Sequence, residues 1–319
     1  MRVRDPLRFL MLVTGGLLCA ACGSESDPLC EDGARRCAQD RIEICAGGAW
    51  SVEQDCAAEG ATCVEEDGDF TCYTPGPFDG LQIVLDLGSG GSRTVELGEL
   101  ECTEYEGQPA IRLIRVVEQG GLELPWDHQY NFVSSDGFDV LVDRYEGDPA
   151  VLPFYGELEH GFLAWTEEDG LRVFWDDEVD MPGALGVKQM QGGTIATIPF
   201  GASEILLVAG QVRTRIDISA LATEEVVDYK HPEDGARPMV PMATFFEAGE
   251  LDTADAFDYK FYGNDGFTNI DTNLMPYENT SHSWIEPVDR KVVSEEAWDT
   301  QVCCWRVRDT VIVQGIPVE

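Results

Sequence analysis

Positive charge is what this chain has least of. Its 21 Lys and Arg stand against 60 Asp and Glu, for a formal net charge of −39. A protein that follows a phosphate backbone needs a basic footprint, so nucleic acid is excluded as a partner. The same deficit argues against lying flat on an anionic lipid leaflet. Histidine is scarce too: His128, His160, His231 and His282 are all there are. None forms His-x-x-x-His or stands close to a cysteine, so no catalytic or metal role is read for them. A Gly-x-Ser-x-Gly elbow, a phosphate loop and a dinucleotide fingerprint are also lacking. Gly88-Ser89-Gly90-Gly91-Ser92 is glycine-rich. It has no lysine, however, and reads as a hairpin turn. The apolar run Phe9 to Leu18 falls short of the ~20 residues that cross a bilayer as a helix.

What is present begins with Arg2, Arg4 and Arg8, which precede that short apolar run. After it comes Leu18-Cys19-Ala20-Ala21-Cys22-Gly23. Small residues immediately before a cysteine resemble the lipobox of bacterial lipoproteins. The matching positions are Ala20, Ala21 and Cys22, while Cys19 stands where that family prefers an aliphatic residue. The resemblance implies cleavage before Cys22, lipid on its thiol and a mature protein outside the cytoplasm. Buried acyl chains would hold it to a membrane at ~0.8 kcal/mol per CH₂. Gly23 in place of Asp resembles sorting to the outer membrane. Residues 1–21 are thus expected to be a signal peptide, and 22–29 a lipidated tether.

Six cysteines follow between 30 and 72: Cys30, Cys37, Cys45, Cys56, Cys63 and Cys72. A segment this short buries too little apolar surface to stand without cross-links, and an exported compartment supplies the oxidant. Three disulfides are expected. Fifteen pairings satisfy the spacing. Zinc is the alternative, but there is no Cys-x-x-Cys and no histidine within the segment. The order Arg41-Ile42-Glu43-Ile44-Cys45, then Gly47-Gly48-Ala49-Trp50, reads as small hairpins. The segment is similar to cysteine-rich stalk modules that follow lipoboxes in other bacterial surface proteins. Residues 73–79, which contain Tyr73-Thr74-Pro75-Gly76-Pro77, read as a stiff linker.

Beyond the linker the chain repeats itself. At an offset of 129, Pro109, Glu118, Gly120, Leu122, Tyr130, Phe132, Asp136, Gly137 and Phe138 meet Pro238, Glu247, Gly249, Leu251, Tyr259, Phe261, Asp265, Gly266 and Phe267. Chance would give about two identities in such a window. Leu113, Val116 and Val117 face Met242, Phe245 and Phe246. That i, i+3, i+4 spacing predicts a short amphipathic helix in each copy, ended by Gly120 and Gly249. Farther out, Trp175-Asp176 resembles Trp298-Asp299, and Val187-Lys188 resembles Val307-Arg308. The expected fold is α+β and sheet-rich. It comprises two tandem duplicated domains, 80–200 and 201–319, behind the small disulfide-rich module at 30–72.

The order of signals in each copy resembles the sulfite-oxidase-type molybdopterin-binding domain. In the first copy the carrying residues are Ile111-Arg112-Leu113, Gly120-Gly121, Tyr130-Asn131-Phe132, Ser135-Asp136-Gly137-Phe138 and Gly186-Val187-Lys188. In the second they are Phe261, Asn264-Asp265-Gly266-Phe267 and Val307-Arg308. The resemblance implies a cysteine thiolate on molybdenum, roughly where Cys102 lies, but no basic or asparagine cluster accompanies that cysteine. Cys102 is therefore read as an unpaired or buried thiol. Cys303 and Cys304 read as small buried residues or a vicinal disulfide. Asp136-Gly137 and Asp265-Gly266 read as strand-ending turns, with Phe138 and Phe267 anchoring them in the core. Asp176, Asp177, Glu178 and Asp180 read as a solvated face without EF-hand spacing. Asn273 to Asn279, with Trp284 near by, read as a packed loop. No catalytic residue, metal or cofactor is expected. The chain reads as a lipid-anchored envelope protein that binds a protein, an envelope component or a cation; the alternative, which the resemblance implies, is a molybdopterin-type oxidoreductase or its degenerate, inactive relative.

Overall fold

The computed structural model describes residues 30–66, 68–269, 273–296 and 305–318. Cys22, Cys303, Cys304 and Trp298-Asp299 lie outside them. The chain divides into two compact units, one ending at Pro75 and one beginning at Gly76.

In the smaller unit, β1 (Arg35–Cys37), β2 (Arg41–Ala46) and β3 (Ala49–Asp55) form an antiparallel sheet, and β4 (Thr62–Glu66) and β5 (Asp69–Tyr73) form a hairpin. The interior is slight: Ile42, Cys56 and Ala61 are buried, with Cys63, Phe70 and Cys72 packed against them. Three disulfides supply what that core cannot: Cys30–Cys45, Cys37–Cys63 and Cys56–Cys72. Cys63 and Cys72 are directly opposed across β4 and β5, yet neither bonds the other. Each reaches back toward the sheet, so the hairpin is stapled to it twice. Closing loops of 15 to 26 residues stabilises a fold by about 3 kcal/mol per bridge. Replacing Cys56 and Cys72 together by Ser is expected to remove roughly that amount. Limited proteolysis checks this, with cleavage expected near β4 and β5 first.

The larger unit contains two halves of like topology. The first half comprises β6 (Gln82–Asp86), β7 (Ser92–Glu96), β8 (Thr103–Tyr105), β9 (Gln108–Arg112), α1 (Leu113–Gly120), β10 (His128–Val133), α2 (Val140–Tyr145), β11 (Gly161–Thr166), β12 (Gly170–Trp175) and β13 (Thr194–Pro199). The second comprises β14 (Glu204–Ala209), β15 (Val212–Asp217), β16 (Glu224–Val227), β17 (Ala236–Pro241), α3 (Met242–Ala248), β18 (Phe257–Gly263), α4 (Tyr277–Thr280), β19 (Ser283–Glu286), β20 (Lys291–Ser294) and β21 (Thr310–Pro317). Each half has one sheet of order β10-β13-β6-β7 or β18-β21-β14-β15. Each has a second of order β12-β11-β9-β8 or β20-β19-β17-β16. In both halves the pair β6/β13 or β14/β21 is parallel. The helix packs its apolar stripe between the sheets.

The α+β expectation is corrected here. Among the described residues strand accounts for 42% and helix for 22%, in six small sheets, so they are mostly β. The predicted amphipathic stripes exist, but α1 holds 8 residues and α3 holds 7. Much of the remaining helix is single 3₁₀ turns, such as Leu97–Glu99 and Ile218–Ala220. Gly249 caps α3, whereas α1 is closed by the left-handed Gly121 (φ +63°), one residue past Gly120, and both repeated glycines are also required by space. A Cβ on Gly120 would lie 2.2 Å from Leu85 Cδ2, and one on Gly249 would lie 2.4 Å from Leu207 Cδ2. The helix ends press onto matching leucines of β6 and β14. The repeated tyrosines also match. Tyr130 Oη donates to the Pro125 carbonyl at 2.8 Å, and Tyr259 Oη donates to that of Ala254 at 2.7 Å.

Candidate functional site

The two halves use their sheets differently. On β7 the outward residues Ser92 and Thr94 are exposed. On β15 the equivalent positions are Arg213 and Arg215, whose side chains are 10% and 11% exposed. The outer face of the second half's sheet is covered by the segment 149–160 of the first half. There Leu206, Val208 and Ile312 meet Ala150, Phe154 and Phe200, with Tyr262 alongside. Strand β14 is consequently buried on both faces.

Polar groups fix this seam. Arg213 forks onto Glu157, at 2.6 Å to Oε1 and 2.9 Å to Oε2, and donates to the Ala150 and Leu152 carbonyls. Arg215 donates to Gln129 Oε1 at 2.7 Å and to Glu204 at 3.0 Å, and its guanidinium lies 4.3 Å over the Phe200 ring. Gln129 is fully buried and passes its amide N–H to the Leu152 carbonyl at 2.6 Å. Bidentate Arg–carboxylate geometry is the strongest form of such a pair.

Beside the seam is a cavity of about 510 Å³. The first half contributes Glu118 of α1, Trp126, and Phe154, Tyr155 and Gly156 of the covering segment. The second contributes Lys260 and Tyr262 of β18 and Gln314 of β21. Alternation along β18 explains the last group. Tyr259 and Phe261 point into the core, so Lys260 and Tyr262 face out. Trp126 packs against Tyr155 with centroids 4.7 Å apart, and Phe154 meets Tyr262 edge-on at 5.5 Å. Tyr155 Oη donates to Glu118 Oε1 at 3.0 Å, and Tyr262 Oη to Gln314 Oε1 at 2.8 Å. Burial, reinforced by the Glu118 carboxylate, pushes the Tyr155 hydroxyl well above the ordinary phenol range, so it stays a donor. The turn Asp265-Gly266 seats against Trp126 from the second half. A Cβ on Gly266 would lie 2.9 Å from the indole ring, and its φ of +82° suits glycine.

A larger cleft, about 590 Å³, opens at the first Asp-Gly-Phe turn. It is lined by Ser134, Asp136, Phe138, Arg144 and Lys188, with Gly183, Ala184 and Gly186. Its Lys188 ammonium is engaged by Asp169 at 2.8 Å, and much of its wall is small residues. The seam cavity concentrates rings and oriented hydrogen-bonding groups, and is the stronger candidate. At the turn itself the Ser134 hydroxyl, with the Phe138 N–H, holds the Asp136 carboxyl below its usual range. Phe138 packs partly against the core. Phe267 does not do so: it is 46% exposed, a correction to the expected anchor. Its turn is held instead by Asp265, which accepts the Phe267 N–H at 2.9 Å.

The other singled-out residues lie apart. Cys102 is exposed, with its thiol 3.5 Å from the Thr103 carbonyl. It is flanked by Glu99, Glu101 and Glu104, all exposed. Carboxylates there do not suit a phosphate-bearing pterin, and Cys102 is not assigned as a ligand. His160 Nδ1 lies 3.2 Å from Asp176, His282 3.3 Å from Glu295 and His231 3.6 Å from Glu233, while His128 faces the Leu124 carbonyl. In the acidic stretch Asp176 also accepts the Glu178 N–H, and Asp180 accepts from Gln211. Among the described residues no group of three His, Cys, Asp or Glu is arranged to hold a metal. In the 273–279 loop Met275 is fully buried and pairs with Tyr259. The Trp284 indole donates to Glu224. Among the described residues no helix is long and apolar enough to cross a membrane.

Sequence reasoning missed the seam arginines and Glu157. A signal was available: Arg213 and Arg215 sit at i, i+2 beside apolar Val212 and Ile216, in a chain poor in basic residues. Comparison with protein-family models, with curated proteins and with solved structures finds no match.

Proposed function

We propose that this chain is an exported lipoprotein. It is tethered through an acylated Cys22 to the cell envelope, at the outer membrane. It binds a small envelope-derived ligand in the seam cavity without transforming it. The observation that carries the compartment is the six-cysteine unit, whose few buried residues depend on three bridges. Thiols stay reduced in the cytosol and oxidise outside it. The residues before Cys22 supply the route, and the acidity of the remainder keeps the unit off an anionic leaflet. The bridged unit then acts as a spacer between lipid and binding unit. The binding role draws on the cavity's size and mixed lining, which fall in the range of small-molecule sites at junctions between structural halves.

Metabolic labelling with a palmitate analogue, followed by mass spectrometry of the N-terminal peptide, tests the anchor. The expected result is a diacylated Cys22 as first residue, with label and membrane association lost in Cys22→Ser. Recovery of the intact 319-residue chain from the cytosol with Cys30 to Cys72 reduced would overturn it.

A further inference from the structure

We infer that the seam cavity recognises a neutral pyranose sugar, an inference that rests on the cavity being the binding site. The charged groups around it are matched or solvated, the Glu159 carboxylate being exposed to water. Glu118 Oε2 is held by Arg115 at 2.7 Å, Glu157 by Arg213 and His160 by Asp176, while the Lys260 ammonium lies 5.2 Å over the Tyr262 ring. Ions that are paired or solvated in this way offer little net field to an anion or an organic cation. What it offers is hydrogen bonding with fixed polarity. Gln314 Oε1 is occupied by Tyr262 Oη, which orients the amide so that its N–H groups donate. Glu118 Oε1 accepts from Tyr155 and, as a carboxylate oxygen, has a second lone pair. A donor thus comes from the second half and an acceptor from the first.

Between them lie the rings of Trp126, Phe154, Tyr155 and Tyr262. A molecule that fits this must be apolar on its ring faces and must donate and accept around its rim. A pyranose ring is so built, since each hydroxyl does both and the C–H faces pack on aromatic carbon. The volume of about 510 Å³ leaves room for one or two such rings. A lipid chain covering the Gln314 amide would leave its N–H groups without a partner, which is costly.

Calorimetric titration of the disulfide-bonded chain tests this. The probes are galactose, maltose and di-N-acetylchitobiose, with tetramethylammonium chloride and inorganic phosphate as contrasts. The expected result is saturable binding of at least one saccharide, weakened tenfold or more in Gln314→Leu, with phosphate silent. Trp126→Ala should weaken binding likewise; should it fail to fold, Gln314→Leu still decides, because the Gln314 side chain lies on the outer face of β21. Saccharide binding that Gln314→Leu leaves unchanged would place the site elsewhere and overturn the inference. Tetramethylammonium binding without saccharide binding would overturn the ligand class while keeping the seam as a site. Silence from every probe would overturn the sugar assignment and the binding role together, leaving the lipid anchor to its own test.

Discussion

Glu157→Ala is expected to destabilise the larger unit by about 3–5 kcal/mol, the usual cost of stranding one partner of a buried ion pair. The Arg213 side chain is 10% exposed and that of Glu157 6%. Without the carboxylate, the guanidinium keeps only the carbonyls of Ala150 and Leu152, at 3.3 and 2.7 Å. Glu157 also serves the backbone, since its Oε2 accepts the Phe154 N–H at 3.1 Å. It thereby caps the turn that carries Phe154 and Tyr155 onto the other half. Urea denaturation measures the loss. Arg213→Ala should cost a similar amount, and the double variant less than the sum of the two, because the second change removes a charge that the first left unpaired. Arg115→Ala is the contrast. Its pair with Glu118 is about half exposed, and such solvent-screened pairs contribute little to stability. A Glu157→Ala cost no greater than that of Arg115→Ala would mean that the seam is held by its apolar contacts alone.

The seam also marks where sequence reading ran out. The matched stretch 109–138 and 238–267 falls on β9–α1–β10 and β17–α3–β18, and its buried aromatic residues sit at repeated contacts. Tyr130, Tyr259, Phe132 and Phe261 are fully buried, and core positions keep their identity because each half packs the same interior. The surfaces diverge because only the second half's sheet is covered. Ser92 and Thr94 against Arg213 and Arg215 record that difference, and it cannot be read from one strand alone. Helix share was misjudged for another reason: i, i+3, i+4 spacing announces a helix over two turns as readily as over five. Disulfide pairing was closed to the sequence because it depends on register. Cys63 and Cys72 are opposite each other on β4 and β5 and still take partners elsewhere. The cavity was invisible for a related reason. Its walls, Glu118, Tyr155, Lys260 and Gln314, come from distant segments, and one of these, 149–160, carries only 3₁₀ turns.

Asp228→Asn should destabilise the second half as strongly as Glu157→Ala destabilises the seam. Its effect should also depend on pH. Asp228 is 4% exposed, between β16 and β17. Its carboxylate meets Lys291 Nζ of β20 at 2.9 Å and the guanidinium of Arg306, just before β21. One anion thus ties three segments of the half together. Burial alone would raise its carboxyl, but hydrogen bonds from Lys291, Arg306 and the Lys230 N–H outweigh that and hold it at about 2. An unfolded Asp titrates near ~3.9. The folded state therefore binds its proton less readily, and the stabilisation is complete above the unfolded value. It is lost as pH falls through the window from ~4 toward about 2. A shift of this size corresponds to roughly 2 kcal/mol. Asparagine cannot titrate, so the variant should start lower by about 3–5 kcal/mol at neutral pH, with Lys291 and Arg306 left uncompensated. It should then lose less than the native chain on acidification below ~4. Chemical denaturation at several pH values separates the two effects. Parallel pH profiles for the native chain and the Asp228→Asn variant would mean that Lys291 and Arg306 do not perturb this carboxyl, and that any loss at neutral pH is one of packing.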